Sequence, residues 1–243
     1  MEQGFLNKYL EVLKFVNEKI ENNRSPHKVN LIHGQIAKDI KSVLGNDYLV
    51  ITKETHNKEE IINGRYIDKK VDIVIKKKNK IIAGIAIKNP INSYFKNKNN
   101  YFENMLGETA NIKSNGFLYF QIIIFPHKIP DWKGKGKNQT LRKMDVVNED
   151  KLSVYLKLAK DDPTKMFHTP TKTLLLIIKD NINKHFSKGS KEEYQKIVSK
   201  LIVEQKLKLE FLDFENNAAW NALIINDYSS YIEKICYLII GTS

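Results

Sequence analysis

Apolar residues recur at helical spacing at the start of the chain and gather into unbroken runs further along. Phe5, Leu6, Tyr9, Leu10, Leu13, Val16 and Ile20 follow one another at steps of one, three and four, which predicts an amphipathic helix over 3–21. Asn22-Asn23-Arg24-Ser25-Pro26 breaks it. A second helix is expected over 27–44, with Leu31, Ile32, Ile36, Ile40, Val43 and Leu44 on its buried side and Gly45-Asn46-Asp47 as its stop. Residues 48–53 read as a strand and 54–70 as a polar loop. Two β-branched runs, 71–75 and 81–88, flank the turn Lys76-Lys77-Lys78-Asn79-Lys80 and read as a β-hairpin. A helix is expected over 93–114, with Phe102, Met105, Leu106, Thr109 and Ile112 inward. Phe117 to Phe125 is a near-continuous apolar strand, of the kind covered on both faces. The order is helix, three strands, helix, strand, an α/β arrangement.

The second half reads as mainly helical. Ser190 and Glu193 form a capping box ahead of Tyr194, Ile197, Val198, Leu201 and Ile202. Residues 220–240 close the chain with a stripe of Tyr231, Ile232, Ile235, Cys236 and Ile239, fit to dock on a core or on a second copy. Residues 152–158 suit helix or strand. The expected organisation is an N-terminal helix (1–26), a core (27–145) and a mainly helical extension (146–243) for recognition or dimerisation.

Charge sharpens this picture. Residues 1–145 carry 26 of the 40 Lys and Arg but only 15 of the 28 Asp and Glu, so nearly all of the net charge of +12 lies there. Such a surface attracts polyanions. A single cysteine, Cys236, excludes an internal disulfide and a multi-cysteine zinc site. There is no apolar run long enough to span a membrane, and Met1-Glu2-Gln3-Gly4 lacks the layout of a signal peptide. A cytoplasmic setting is expected. No Walker loop or dinucleotide fingerprint is present, and His33, His56, His127 and His168 have no zinc-site spacing.

Lone charges stand inside the hairpin's apolar runs: Asp72 near the start of the first and Lys88 at the end of the second. A charge there costs free energy unless it is paired or used. An acid on one strand followed by an acid-x-Lys tripeptide on the next resembles the PD-(D/E)XK nuclease superfamily, the fold of many restriction endonucleases. Asp72 matches the first acid and Lys88 the lysine. Ala86 stands where the second acid belongs, and Val71 replaces the usual proline. The resemblance covers roughly residues 28–126 and implies a restriction-endonuclease-like αβββαβ core. It implies Mg²⁺-dependent hydrolysis of double-stranded DNA by a homodimer, because a symmetric double-strand cut needs two centres. By resemblance, Asp72 and the backbone carbonyl of Ile87 hold the metal. The Lys88 ammonium orients water and stabilises negative charge.

Ala86 cannot hold a metal. Three accounts are open: alanine has replaced a glutamate and inactivated the chain; the acid has migrated to the following helix, with Glu103 as candidate and Glu108 as reserve; or the fold only binds. Glu103 and Glu108 are five apart, about 140° around a helix, so only one is expected to face the site. Gln35 and Glu54 are candidates for the metal's outer ring of contacts. Asn92, Ser93, Tyr94, Lys96 and Lys98 are candidates for adenine edges and phosphates. Lys128, Lys133, Lys135, Lys137, Arg142 and Lys143, with Trp132 among them, read as a flexible basic loop (127–145) closing on a nucleic-acid backbone. The alternatives are a non-catalytic DNA-binding module on the same fold and a structure-specific repair or RNA-directed nuclease.

Overall fold

The computed structural model describes residues 1–18, 27–91, 94–135, 138–213 and 223–242. The expected end of the first helix at 19–21, including Ile20, lies outside the described residues, as does 220–222. Helices α1 (Glu2–Glu18) and α2 (His27–Leu44) form on the apolar spacing seen in the sequence. Strand β1 (Tyr48–Thr52) follows, then a single helical turn α3 (Lys53–His56). Next come β2 (Glu60–Asn63), β3 (Asp68–Val71), β4 (Ile73–Lys77), β5 (Lys80–Lys88) and helix α4 (Lys98–Lys113). The chain continues through β6 (Leu118–Pro126), β7 (Lys128–Lys133), β8 (Thr140–Val146), α5 (Glu149–Leu158) and β9 (Lys172–Asp180). It ends with α6 (Lys191–Val203), β10 (Leu209–Phe211), β11 (Leu223–Ile225) and α7 (Tyr228–Gly241).

The fold is α/β. The main sheet runs β1-β4-β5-β6-β9-β10, with β11 also on β9. β1, β4 and β5 are antiparallel neighbours. The crossover through α4 brings β6 parallel to β5, and β9 lies parallel to β6, as strands joined by a helix require. Alternation along the strands sends two residue sets to opposite faces. Ile73, Ile75, Ile85, Ile87, Phe120, Ile122, Leu174 and Leu176 face α1, α2 and α7, in one core with Phe5, Ile32, Ile36, Tyr228, Ile232 and Ile235. On the other face, Val74, Ala86 and Tyr119 pack with Ile62 and Val71 of the β2–β3 hairpin and Ile112 of α4. Further along that face, Ile123, Phe125, Leu175 and Ile177 pack on Met105 of α4 and on Leu152 and Tyr155 of α5.

Three expectations are corrected. Residues 54–70 hold a helical turn and the β2–β3 hairpin, not only loop; Ile62 is fully buried and anchors the hairpin. Residues 127–145 are not a flexible arm but a second hairpin, β7 paired with β8. Its Trp132 is buried against Phe186 and Tyr194, and its Asp131, 1% exposed, pairs with Lys96 at 2.7 Å and with Arg142. The second half holds the helices α5, α6 and α7 but also supplies strands to the main sheet, which the helical reading left out. Residues 174–178 run through β9 inside the main sheet, and β11 occupies 223–225. The α7 stripe is entirely consumed by the core shared with α1 and α2. Among the described residues, no helix is long and apolar enough to cross a membrane.

Because α7 completes the core of α1, α2 and β4–β6, residues 146–243 cannot unfold alone without exposing it. Ile235→Ala, at a fully buried position, should destabilise the whole chain by about 2–5 kcal/mol. In urea, tryptophan fluorescence and far-UV circular dichroism should trace one transition. A separate transition for the second half would contradict this packing.

Candidate functional site

Asp72 sits at the junction where the chain leaves its pairing with β2 and enters its pairing with β5. Its neighbour across the sheet is the C-terminal end of β5. The Ile87 amide donates a 2.7 Å hydrogen bond to Asp72 Oδ2, which fixes the carboxylate beside that end. Residues 86 and 88 of β5 share one face of the sheet, the α4 side on which Ala86 and Val74 are packed. Asp72 is a bend residue between β3 and β4, placed by its bond to the Ile87 amide rather than by strand alternation. Ala86 is 1% exposed, and its methyl group is all that position 86 contributes.

Lys88 opens into a cavity of about 550 Å³ between α4 and the β2–β3 hairpin, whose wall includes Ile67, Lys69, Glu103 and Glu108. Both glutamates line it, contrary to the expectation that only one would face the site. The cavity straddles α4, so residues on its two flanks reach the same space. They differ in engagement. Glu108 accepts a short hydrogen bond from the Tyr119 hydroxyl and pairs with Lys69 Nζ at 2.9 Å, whereas Glu103 is exposed. Gly84 makes this arrangement possible. A Cβ there would fall 2.6 Å from Ile62 and 3.1 Å from the Tyr119 ring, so only glycine lets both side chains close over β5. Burial, then the adjacent Glu108 charge, push the Tyr119 hydroxyl well above its ordinary pKa.

Two residues that sequence reasoning passed over stand at this site. His33 of α2 is 3% exposed, and its Nε2 lies 3.9 Å from Asp72 Oδ1. Burial lowers its pKa against the pull of Asp72 and Glu59, and the Lys88 charge acts in the same direction as burial. Gln121 of β6 is the direct register partner of Ala86 and is fully buried. Neither Oε1 nor Nε2 of Gln121 finds a hydrogen-bond partner among the described residues, and the same holds for His33 Nε2 and for both amide atoms of Asn89, next to Lys88. A polar residue inside an apolar strand was the signal that marked Asp72 and Lys88. It also marks Gln121 within 117–125.

The remaining candidates are dispersed. Gln35 donates to Asp39, not toward Asp72; two positions, about 200° around the helix, separate the expected residue from the actual one, His33. Glu54 lies against α2 at Gly34, where a Cβ would meet its carboxylate at 1.7 Å. Tyr94 is buried, with its hydroxyl 2.6 Å from that of Tyr155, so its ring serves packing and cannot meet a base. Lys96 and Arg142 are engaged by Asp131, and Lys143 pairs with Asp145 at 2.7 Å. Lys133 and Lys135 are exposed, and Lys98 and Lys128 are half-buried. Asn92, Ser93 and Lys137 lie outside the described residues.

These residues do not make a Mg²⁺ site as the chain stands. Among the described residues, no three His, Cys, Asp or Glu side chains are grouped to hold a metal. Position 86, next to the Ile87 amide that holds Asp72, has only an alanine methyl where a second hard oxygen ligand is needed. The unpartnered amide of Gln121 beside that methyl is what a missing hydrogen-bonding group at 86 would leave behind. Comparison with protein-family models, curated proteins and solved structures gave no match to this chain.

An unpaired buried amide costs about 1–3 kcal/mol. Gln121→Met keeps the volume and removes the polar atoms, so it should raise stability by about 1 kcal/mol in urea unfolding. A loss of stability would mean that the amide is already satisfied.

Proposed function

We propose that this chain is a restriction-type DNA endonuclease of the PD-(D/E)XK kind in which alanine at position 86 has removed the second acid, leaving a protein that binds duplex DNA without cutting it. The order β1, β4, β5, α4, β6, with α2 ahead, supports the αβββαβ reading. The observation that carries it is the hydrogen bond from the Ile87 amide, which holds Asp72 at the end of β5 where Ala86 and Lys88 stand, with the unpartnered Gln121 amide abreast of position 86. A surface whose excess cations lie in the first 145 residues suits a phosphate backbone.

Each residue has a distinct part. The Ile87 amide holds the Asp72 carboxylate at the end of β5, with its other oxygen 3.9 Å from His33 Nε2, so the group is positioned without reorganisation. The Lys88 ammonium stabilises the charge that develops on a phosphate oxygen during attack by water. The buried wall of Ala86 and Tyr119 excludes solvent behind them. A glutamate at 86 would lie between Asp72 and Gln121, accept from the Gln121 amide and supply the absent carboxylate. Two-fold dimerisation accompanies this reading, since each chain holds one such centre.

A second reading has one specific observation in its favour: Glu103 and Glu108 share the Lys88 cavity, so α4 could supply the acid. The two readings divide on the unaltered protein. In the first, it binds a mixed-sequence plasmid and leaves it intact with Mg²⁺, while Ala86→Glu cuts it into discrete fragments. Asp72→Ala in that background should lower cutting by at least about 10²-fold. In the second, the unaltered protein cuts and Glu103→Gln or Glu108→Gln abolishes cutting. No cutting by Ala86→Glu, with Asp72 and Lys88 intact, would refute the first reading.

A further inference from the structure

The turn joining β2 to β3 displays its apolar side chains outward. Tyr66 is 80% exposed and Ile67 66% exposed, yet the backbone beneath them is clamped. Asn111 of α4, itself buried, accepts from the amides of Tyr66 at 2.9 Å and Ile67 at 3.3 Å, and donates to the Ile67 carbonyl at 2.8 Å. Its own carbonyl accepts from the Arg65 amide at 2.9 Å, and Asn115 donates to the Asn63 carbonyl at 2.8 Å. Gly64 admits the clasp: a Cβ there would fall 2.0 Å from Asn111 Nδ2 and 2.4 Å from the Ile67 carbonyl. A second tie, Lys69 to Glu108, fastens the far strand of the hairpin to the same helix.

Loop tips are ordinarily polar and loose. This one is apolar at its tip and bonded at every residue from 65 to 67. Holding an aromatic and a branched side chain in water serves no packing purpose, whereas a rigid display lowers the ordering cost of a contact made later. The position is informative too: Ile67 lines the cavity that holds Lys88, so the tip stands at its mouth. The charge around the tip is cationic on balance, with Arg65 stacked at 5.8 Å over the Tyr66 ring, Lys70 exposed on β3 and one exposed acid, Asp68, between them.

We infer that residues 65–67 form a preorganised wedge that enters duplex DNA beside the candidate centre, Tyr66 and Ile67 pressing against the base stack while Arg65 takes a phosphate. This rests on the nuclease reading for its partner, and chemistry favours that partner: apolar tips flanked by cations open base steps and track phosphates together. The wedge aligns the strand with Lys88 because one helix, α4, anchors the tip and walls the cavity.

Fluorescence anisotropy of a labelled mixed-sequence duplex with the full chain, across a salt series, tests this. Tyr66→Ala should weaken binding about tenfold with an unchanged slope of log K against log salt, because no phosphate contact is lost. Tyr66→Phe should bind as the unaltered chain does, and Arg65→Ala should flatten the slope by about one phosphate. Tyr66 is exposed enough for either substitution to leave the fold intact, which circular dichroism checks. Unchanged affinity in Tyr66→Ala would overturn the wedge alone. A failure of the unaltered chain to bind duplex would overturn the nuclease reading and the wedge with it.

Discussion

One hydrogen bond, from the Ile87 amide to the Asp72 carboxylate, joins the start of β4 to the end of β5 and determines where that carboxylate is held. Ladder hydrogen bonds hold strands together along their length. This one instead spends a charged side chain on a backbone donor at the point where Asp72 has left one partner strand and not yet entered the next. A carboxylate there would otherwise be a costly, mobile charge at the rim of an apolar sheet. Bonded, it becomes fixed beside the end of β5, with its other oxygen 3.9 Å from His33 Nε2. The lysine needs no comparable device, because α4 and the hairpin bound the cavity into which it opens.

Everything around this junction serves to cover one face while leaving its edge open. Gly84 lets Tyr119 and Ile62 lie flat on β5, and Tyr119 in turn holds Glu108. Glu108 and Asn111, on successive turns of α4, fasten the β2–β3 hairpin over the sheet. The opposite face is mainly packed, with α1, α2 and α7 sharing one core that is tied by the buried hydroxyls of Tyr228 to Asp39 and of Tyr231 to the Gln121 carbonyl. The unpaired amide of Gln121 and the unpaired Nε2 of His33 are exceptions to the rule that buried polar groups are satisfied. The first is the register partner of Ala86 and the second lies 3.9 Å from Asp72; the hydroxyls of Tyr9 and Thr109 and the amide of Asn89 are further exceptions among the described residues.

Much of the central sheet was legible in sequence because β4, β5 and β6 are β-branched runs with clear turns. The charges at 72 and 88 stood out against them. β9 was not legible: a run such as 174–178 suits a buried helix as well as a buried strand, and its parallel pairing with β6 is non-local. The second hairpin was misread because Asp131 and Trp132 look like loop residues until Arg142, Lys96, Phe186 and Tyr194 are brought to them by tertiary structure. That same pairing consumes cations that composition alone assigned to DNA. His33 and Gln35 are two residues apart, about 200° around α2, and only the side that α2 turns to the sheet decides which one meets Asp72. Glu103 and Glu108 were separated by helix angle alone, a rule that holds for a flat neighbour and fails where a cavity wraps the helix.

The central claim is that position 86 lacks a charge, not merely bulk. Calorimetric titration of Mg²⁺ into Ala86→Glu and Ala86→Gln, each with duplex DNA present, separates these. The account predicts a saturable heat of one ion per chain for Ala86→Glu and none for the isosteric Ala86→Gln. Equal titration curves for the two would contradict it.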